Sequence, residues 1–232
     1  MKSVRMLKWN LRNSVTSLVV FYGVLLAIYT LSSVILSVGG NQVHVNGFDF
    51  ATLVMLLTLG IVLFGQSLRF GLAAGVSRRS VYVGFLFFDL AVSLITMGGN
   101  LLLNLGVPPF SNVLMTLYGS GAYWSVAASN LCLNLMACLV GYCIGGAYYR
   151  MGKVLRIGVS IGAPAVLVFI LPIGLMSAPE AVQQAVFSVF ERLFAFLGAS
   201  PLNLAVCSLA VAALLALASY LFIRRAPVKA AF

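Results

Sequence analysis

Thirteen of the fourteen Lys and Arg residues fall into four short clusters, Lys2 to Arg12, Arg69 to Arg79, Arg150 to Arg156 and Arg224 to Lys229, with long apolar stretches between them. Basic residues concentrate in the cytoplasmic loops of membrane proteins, so basic clusters alternating with weakly charged loops fix an orientation for the whole chain. Each return from one basic cluster to the next takes two crossings. Three returns predict six transmembrane helices, with both termini in the cytoplasm and no room for a separate soluble domain. Residues 1–232 therefore read as one transmembrane domain of the all-α polytopic class.

Composition excludes the soluble alternatives: 62% of residues are hydrophobic, 8% are charged and mean hydropathy is +1.10, which no soluble fold matches. The net charge of +10 does not indicate nucleic acid, because apart from Arg192 the positive charges occur only where a helix leaves the bilayer. A bilayer core needs about 20 apolar residues in a helix. The predicted spans are Val15–Val38, Phe50–Leu68, Val81–Leu105, Tyr123–Tyr149, Ile157–Met176 and Leu202–Ile223. The basic Lys2 to Arg12 stretch leads into a full-length span without a small-residue cleavage site, so the first span is expected to be retained. The expected location is a bacterial-type cytoplasmic membrane.

Two further helices are predicted at the membrane surfaces. Residues 1–14 carry Val4, Leu7 and Leu11 on one stripe, with Arg5, Lys8 and Arg12 beside it and Trp9 for the headgroup level, the pattern of an interfacial helix. Between the fifth and sixth spans, Val182, Val186, Val189, Phe190, Leu193, Phe194 and Leu197 recur at helical spacing opposite Gln184, Ser188 and Glu191. This amphipathic helix over 178–198 is expected to begin at a capping box formed by Ser177 and Glu180. Its periodicity suits a helix lying on the outer surface and a re-entrant one equally.

The segment between the second and third spans, 69–80, runs Arg69-Phe70-Gly71-Leu72-Ala73-Ala74-Gly75-Val76-Ser77-Arg78-Arg79-Ser80. Gly71 and Gly75 relax the backbone, Ser77 is suited to cap the next helix, and Arg78 and Arg79 project fixed positive charge from the membrane face. Such a face suits a soluble partner with an acidic groove. The Gly-x-Ser-Arg-Arg turn after a short helical stretch resembles the cytoplasmic loop of six-span permease subunits in ABC exporters of the second permease family, also called type V exporters. The interfacial N-terminal helix and the outer helical element between spans five and six are similar too. The resemblance implies that the loop carrying Arg69, Gly75, Ser77, Arg78 and Arg79 forms a coupling helix in a cleft of an ABC ATPase subunit. A second cytoplasmic loop, with Arg150, Lys153 and Arg156, would be pulled with it. It also implies a second permease copy, as a homodimer or a related heterodimer. The chain has no Gly-x-x-x-x-Gly-Lys-Ser/Thr loop, and its four acidic residues supply no recognisable magnesium site. No cofactor is expected on this chain; ATP and Mg belong to the partner subunit.

Polar residues within a span are costly unless they pair or face water. Asp89 lies about a third of the way across from the inner side, at ~1.5 Å per residue, and is read as a structural ion pair with Arg69, Arg78 or an arginine of the loop between spans four and five; a proton-coupling carboxylate is the sharper alternative. Asn100 and Asn104 share a face of the third span at i, i+4, as do Asn130 and Asn134 on the fourth. Interhelical hydrogen bonding is favoured for them over a substrate path. Gly141 with Gly145 and Gly158 with Gly162 have the spacing that lets helices approach closely, and Pro164 and Pro172 should bend the fifth span. Cys132, Cys138, Cys143 and Cys207 read as buried thiols, and His44 stands alone, so no metal site is expected.

Three classes of function come into question for such a chain. An ATP-driven exporter permease moving a hydrophobic or amphipathic substrate outward accounts for most features. The alternative is the substrate-binding membrane subunit of an energy-coupling-factor vitamin importer, for which a more polar outer pocket is expected. An intramembrane serine protease is disfavoured because the sole histidine precedes spans two to six.

Overall fold

In hydrocarbon every backbone polar group must be satisfied within the chain, and long apolar segments achieve this as helices. The computed structural model describes residues 2–38, 45–106, 110–111, 113–119, 122–166, 171–177 and 179–224. Nine helices follow in order among the described residues: α1 (Lys2–Val38), α2 (Phe48–Ala73), α3 (Arg78–Gly106), α4 (Val113–Tyr118), α5 (Tyr123–Arg150), α6 (Lys153–Ala165), α7 (Leu171–Met176), α8 (Glu180–Ala199) and α9 (Pro201–Arg224). Two residue pairs, β1 (Val45–Asn46) and β2 (Phe110–Ser111), align in parallel between the helices. His44, Pro108, Pro109, Arg225 and Lys229, and the side chains of Asn104 and Lys153, lie outside the described residues.

Among the described residues, five helical segments are long and apolar enough to cross a membrane: Ser3–Ile28, Phe48–Ala73, Arg78–Leu103, Tyr123–Arg150 and Pro201–Arg224. The chain is thus an all-α protein with multiple membrane-spanning helices. Of the span expected over Ile157–Met176, the described residues form α6 and α7, and 167–170 lie outside the described residues. Pro164 falls within α6 and Pro172 within α7, and each lacks a backbone donor.

The N-terminal segment also differs from expectation. It forms no separate surface helix, because α1 continues from Lys2 to Val38 without a break; the first 20 residues contain no Gly or Pro to end it. Its inward stripe is Met6, Asn10, Ser14 and Leu18, all buried, whereas Val4 of the expected stripe is exposed. Met6 fits against Gly84 of α3, where an added Cβ would come within 2.7 Å of the Met6 Cβ. Ser67 of α2 donates to Asn10 at 2.8 Å. Trp9 stacks on Phe70 with ring centroids 4.3 Å apart.

Helix α5 is the centre of the bundle, between α2 and α9. An added Cβ on Gly60 of α2 would overlap the Cys138 carbonyl, one on Gly141 of α5 would overlap that of Leu57, and one on Gly145 would sit 2.6 Å from that of Ile61. The two backbones therefore touch. This contact aligns the buried aromatic rings. Tyr142 stacks on Phe85 of α3 at 3.5 Å and meets Phe64 of α2 edge-on at 4.9 Å. On the other side, Phe222 of α9 closes over Gly146, and the Cys143 thiol donates to the Leu215 carbonyl at 3.3 Å.

Replacing Gly141 by Val should lower the thermal midpoint in mild detergent and reduce monodisperse yield, since overpacking costs about 1–3 kcal/mol and here the obstacle is backbone. Gly158→Val, with nothing within 4 Å of its added Cβ, should behave like the unmodified protein; equal effects at both positions would contradict this packing.

Candidate functional site

Two polar regions stand out against the apolar bundle, one at an end and one within. At the end, α2 stops in a tight hairpin. Gly75 takes φ +66, its N–H donates to the Leu72 carbonyl at 3.1 Å, and the Val76 N–H donates to the Gly71 carbonyl at 2.8 Å. This double bond pattern satisfies carbonyls left over at a helix C-terminus, and its left-handed position favours glycine. Ser77 then caps α3, its Oγ accepting from the Ser80 N–H at 3.3 Å. The segment 69–80 is thus the last turn of α2, a four-residue turn and the first turn of α3, with no separate helix between the two.

The two arginines of the turn have different surroundings. Arg78 Nη1 donates to the Arg224 carbonyl at 2.8 Å, satisfying an acceptor at the C-terminal end of α9. Arg79 is exposed, and no described residue engages it. Below them, the Tyr82 hydroxyl donates to the Ala216 carbonyl, joining α3 to α9 at a second level. The end of α5 carries exposed Arg150, and Arg156 of α6 folds back to donate to the Tyr148 carbonyl at 3.1 Å. The contacts of Met6 with Gly84 and of Arg78 with Arg224 put the N-terminal end of α1 and the C-terminal end of α9 at the same end of the bundle as this hairpin.

Within the bundle, a belt of polar side chains links four helices. Asn134 of α5 donates to Thr96 Oγ1 of α3 and to Asn130 Oδ1, both at 3.0 Å. Thr52 of α2 donates to Asn100 Oδ1 at 3.3 Å, and Tyr22 of α1 donates to the Thr96 carbonyl at 3.3 Å. Asn100, Asn130 and Asn134 are all buried, which is the geometry of interhelical hydrogen bonding. A cavity of about 160 Å³ beside the belt is lined by Phe50, Leu53, Leu114 and Leu133 together with Asp49, Asn130 and Asn134.

Asp89 does not form the expected ion pair. It is buried beside Ser93, whose hydroxyl donates to it at 3.5 Å, and the Cys138 thiol. Arg78 is committed to α9 instead, and Arg69 is exposed at the end of α2. The expected Ser177–Glu180 capping box is also absent, because α8 begins after Pro179 with no side-chain cap; Ser177 instead closes α7, its N–H donating to the Ile173 carbonyl at 3.0 Å. No group of three or more His, Cys, Asp or Glu able to hold a metal occurs among the described residues. Sequence reasoning missed Thr52, Tyr22, Ser93 and Thr96, although Asp89, Ser93, Thr96 and Asn100 repeat at intervals of four, three and four, which marks one helix face.

A double-mutant cycle between Asn134→Ala and Thr96→Val should give a coupling of about 0.6 kcal/mol and no more than about 2 kcal/mol, the usual range for such bonds in membranes, read from unfolding in bicelles. Asp89→Asn should leave the unfolding midpoint nearly unchanged; losing one partner of a buried ion pair would instead cost about 3–5 kcal/mol. Comparison with protein-family models, with curated proteins and with solved structures returns no match for this chain.

Proposed function

We propose that this chain is the membrane-spanning permease subunit of an ATP-driven ABC exporter, with two copies forming a pathway and a separate ATPase subunit engaging the α2–α3 hairpin. The observation that carries this reading is the hairpin itself. It is rigidified by a helix-terminating glycine on one side and a serine cap on the other, and it is anchored to α9 through Arg78. A push or pull on this turn is therefore transmitted into α2, α3 and α9 together rather than absorbed in a flexible loop. Arg79 supplies an unengaged guanidinium suited to a carboxylate on the partner.

The positive-inside rule puts the hairpin, both chain ends and Arg150 in the cytoplasm, where an ATP-hydrolysing subunit operates. The resemblance of Gly75 to Arg79 to the coupling segment of the second permease family points the same way. A further copy of the chain also suits the apolar side chains of α6, among them Val154, Leu155 and Ile157, which are 87%, 58% and 61% exposed. A homodimer and a related heterodimer both satisfy that surface. The substrate class that fits so apolar a set of spans is hydrophobic or amphipathic, moved outward when closure of the ATPase pair changes the packing of the two copies.

Affinity purification in mild detergent tests the proposal. A stoichiometric ATP-hydrolysing partner should copurify with the unmodified chain. Arg79→Glu should abolish that partnership at an unchanged thermal midpoint, whereas Arg78→Glu should lower the midpoint as well, because it also releases the end of α9. A stable complex containing no nucleotide-hydrolysing subunit would overturn the assignment.

A further inference from the structure

Between α1 and α2 runs a groove of about 380 Å³ that is open at the side of the bundle. Its position is unusual for a membrane-facing surface, because five of the residues lining it are polar: Asn13, Ser14, Ser17, Thr58 and Gln66. The remaining wall is apolar and includes Met55, Leu59 and Val62. Asn13 Nδ2 donates to Gln66 Oε1 at 2.8 Å across the groove, leaving the Asn13 carbonyl and the Gln66 amide N–H groups for another partner. Ser14 is only 3% exposed, and no described residue engages its hydroxyl or that of Ser17.

The polar groups are graded along the groove. Asn13 and Gln66 lie near the basic end, one turn from the Trp9 and Phe70 stack, while Thr58 is roughly 12 Å deeper at ~1.5 Å per residue. Hydrocarbon alone would leave the donors at the shallow end unsatisfied, at a cost of several kcal/mol per group. Charge supplies the second constraint. Arg12 adjoins Asn13 in the chain, Arg69 is one turn from Gln66, and both are exposed. None of the four acidic residues, Asp49, Asp89, Glu180 and Glu191, lines the groove.

We propose that this groove is a lateral binding site for one anionic glycerophospholipid. Its phosphate accepts from Gln66 and from the Arg12 and Arg69 rim, while one acyl chain lies along Met55, Leu59 and Val62. Occupation satisfies the shallow donors with the one membrane component that carries both a negative oxygen cluster and a long apolar chain. The site stands independently of the exporter reading, since it requires only that α1 and α2 share a bilayer.

Native mass spectrometry of the full chain in mild detergent tests this, with palmitoyl-oleoyl phosphatidylglycerol and phosphatidylcholine added as separate probes. The unmodified chain should retain one phosphatidylglycerol at least tenfold more tightly than phosphatidylcholine, the scale of one charge-assisted hydrogen bond. Ser17→Phe, which fills the groove, should remove this bound lipid. Gln66→Glu, which sets a negative charge against the phosphate at little cost to the helix, should abolish the preference for phosphatidylglycerol. Arg150→Gln, a cation at the same end but outside the groove, should leave it intact. Equal affinity for the two lipids would overturn the site, as would a preference insensitive to Ser17→Phe and Gln66→Glu or lost equally in Arg150→Gln. A dimer that carries no lipid would also overturn it, by putting a second copy of the chain over the groove.

Discussion

The backbone contact of α2 with α5 is the constraint from which the rest of the bundle follows. Gly60, Gly141 and Gly145 remove side chains where two helices meet, so carbonyls of one helix lie against α-carbons of the other. In a bilayer, lipid tails compete equally for apolar surface, and close van der Waals packing of this kind is what selects one helix pair over another. Once α5 is seated on α2, Tyr142 falls between Phe64 and Phe85, which recruits α3. The opposite face of α5 presents Gly146 and Cys143 to α9. The order of helices in space is thus set by a few positions that carry almost no side chain.

Polar side chains then fix the rotation of helices that apolar packing would leave free to turn. The bonds from Asn134 to Thr96, Thr52 to Asn100 and Tyr22 to the Thr96 carbonyl tie α1, α2, α3 and α5 at one level. At the basic end, Arg78 and Tyr82 perform the same service between α3 and α9. Separated helices in a bilayer also find partners for these groups, so each bond specifies register more than it adds stability. The hairpin between α2 and α3 is consequently held at three points, by its own cap bonds, by α9 and by the α1 segment that carries Met6 and Trp9.

Much of this was legible in the sequence because its signals are long. Four of the predicted spans coincide with spanning helices to within a few residues at most of their ends, since twenty apolar residues between basic clusters admit little else. The Gly141–Gly145 spacing and the interhelical role of Asn134 were visible too. What failed depended on partners distant in the chain. Residues 1–14 look like an isolated amphipathic helix until α2 and α3 offer Ser67 and Gly84 to its Asn10 and Met6 face. Asp89 looks ion-paired as long as the commitment of Arg78 to a backbone carbonyl of α9 is unknown. Ser177 looks like a cap until α8 is seen to start at Glu180 with Pro179 in the capping position.

The functional account follows from where the stiffness lies. A short, doubly capped turn with an unengaged arginine, mounted on α2, one of the two helices that organise the bundle, is suited to receive force from outside the membrane and deliver it inward. That role requires the turn to face the compartment that holds ATP. Single-cysteine labelling at Ala74 with a membrane-impermeant maleimide, compared with Glu180 as the opposite reference, tests this most directly. The account predicts that Ala74→Cys is protected in intact cells and labelled in inverted vesicles, with Glu180→Cys showing the reverse. Labelling of Ala74→Cys from outside intact cells would contradict it.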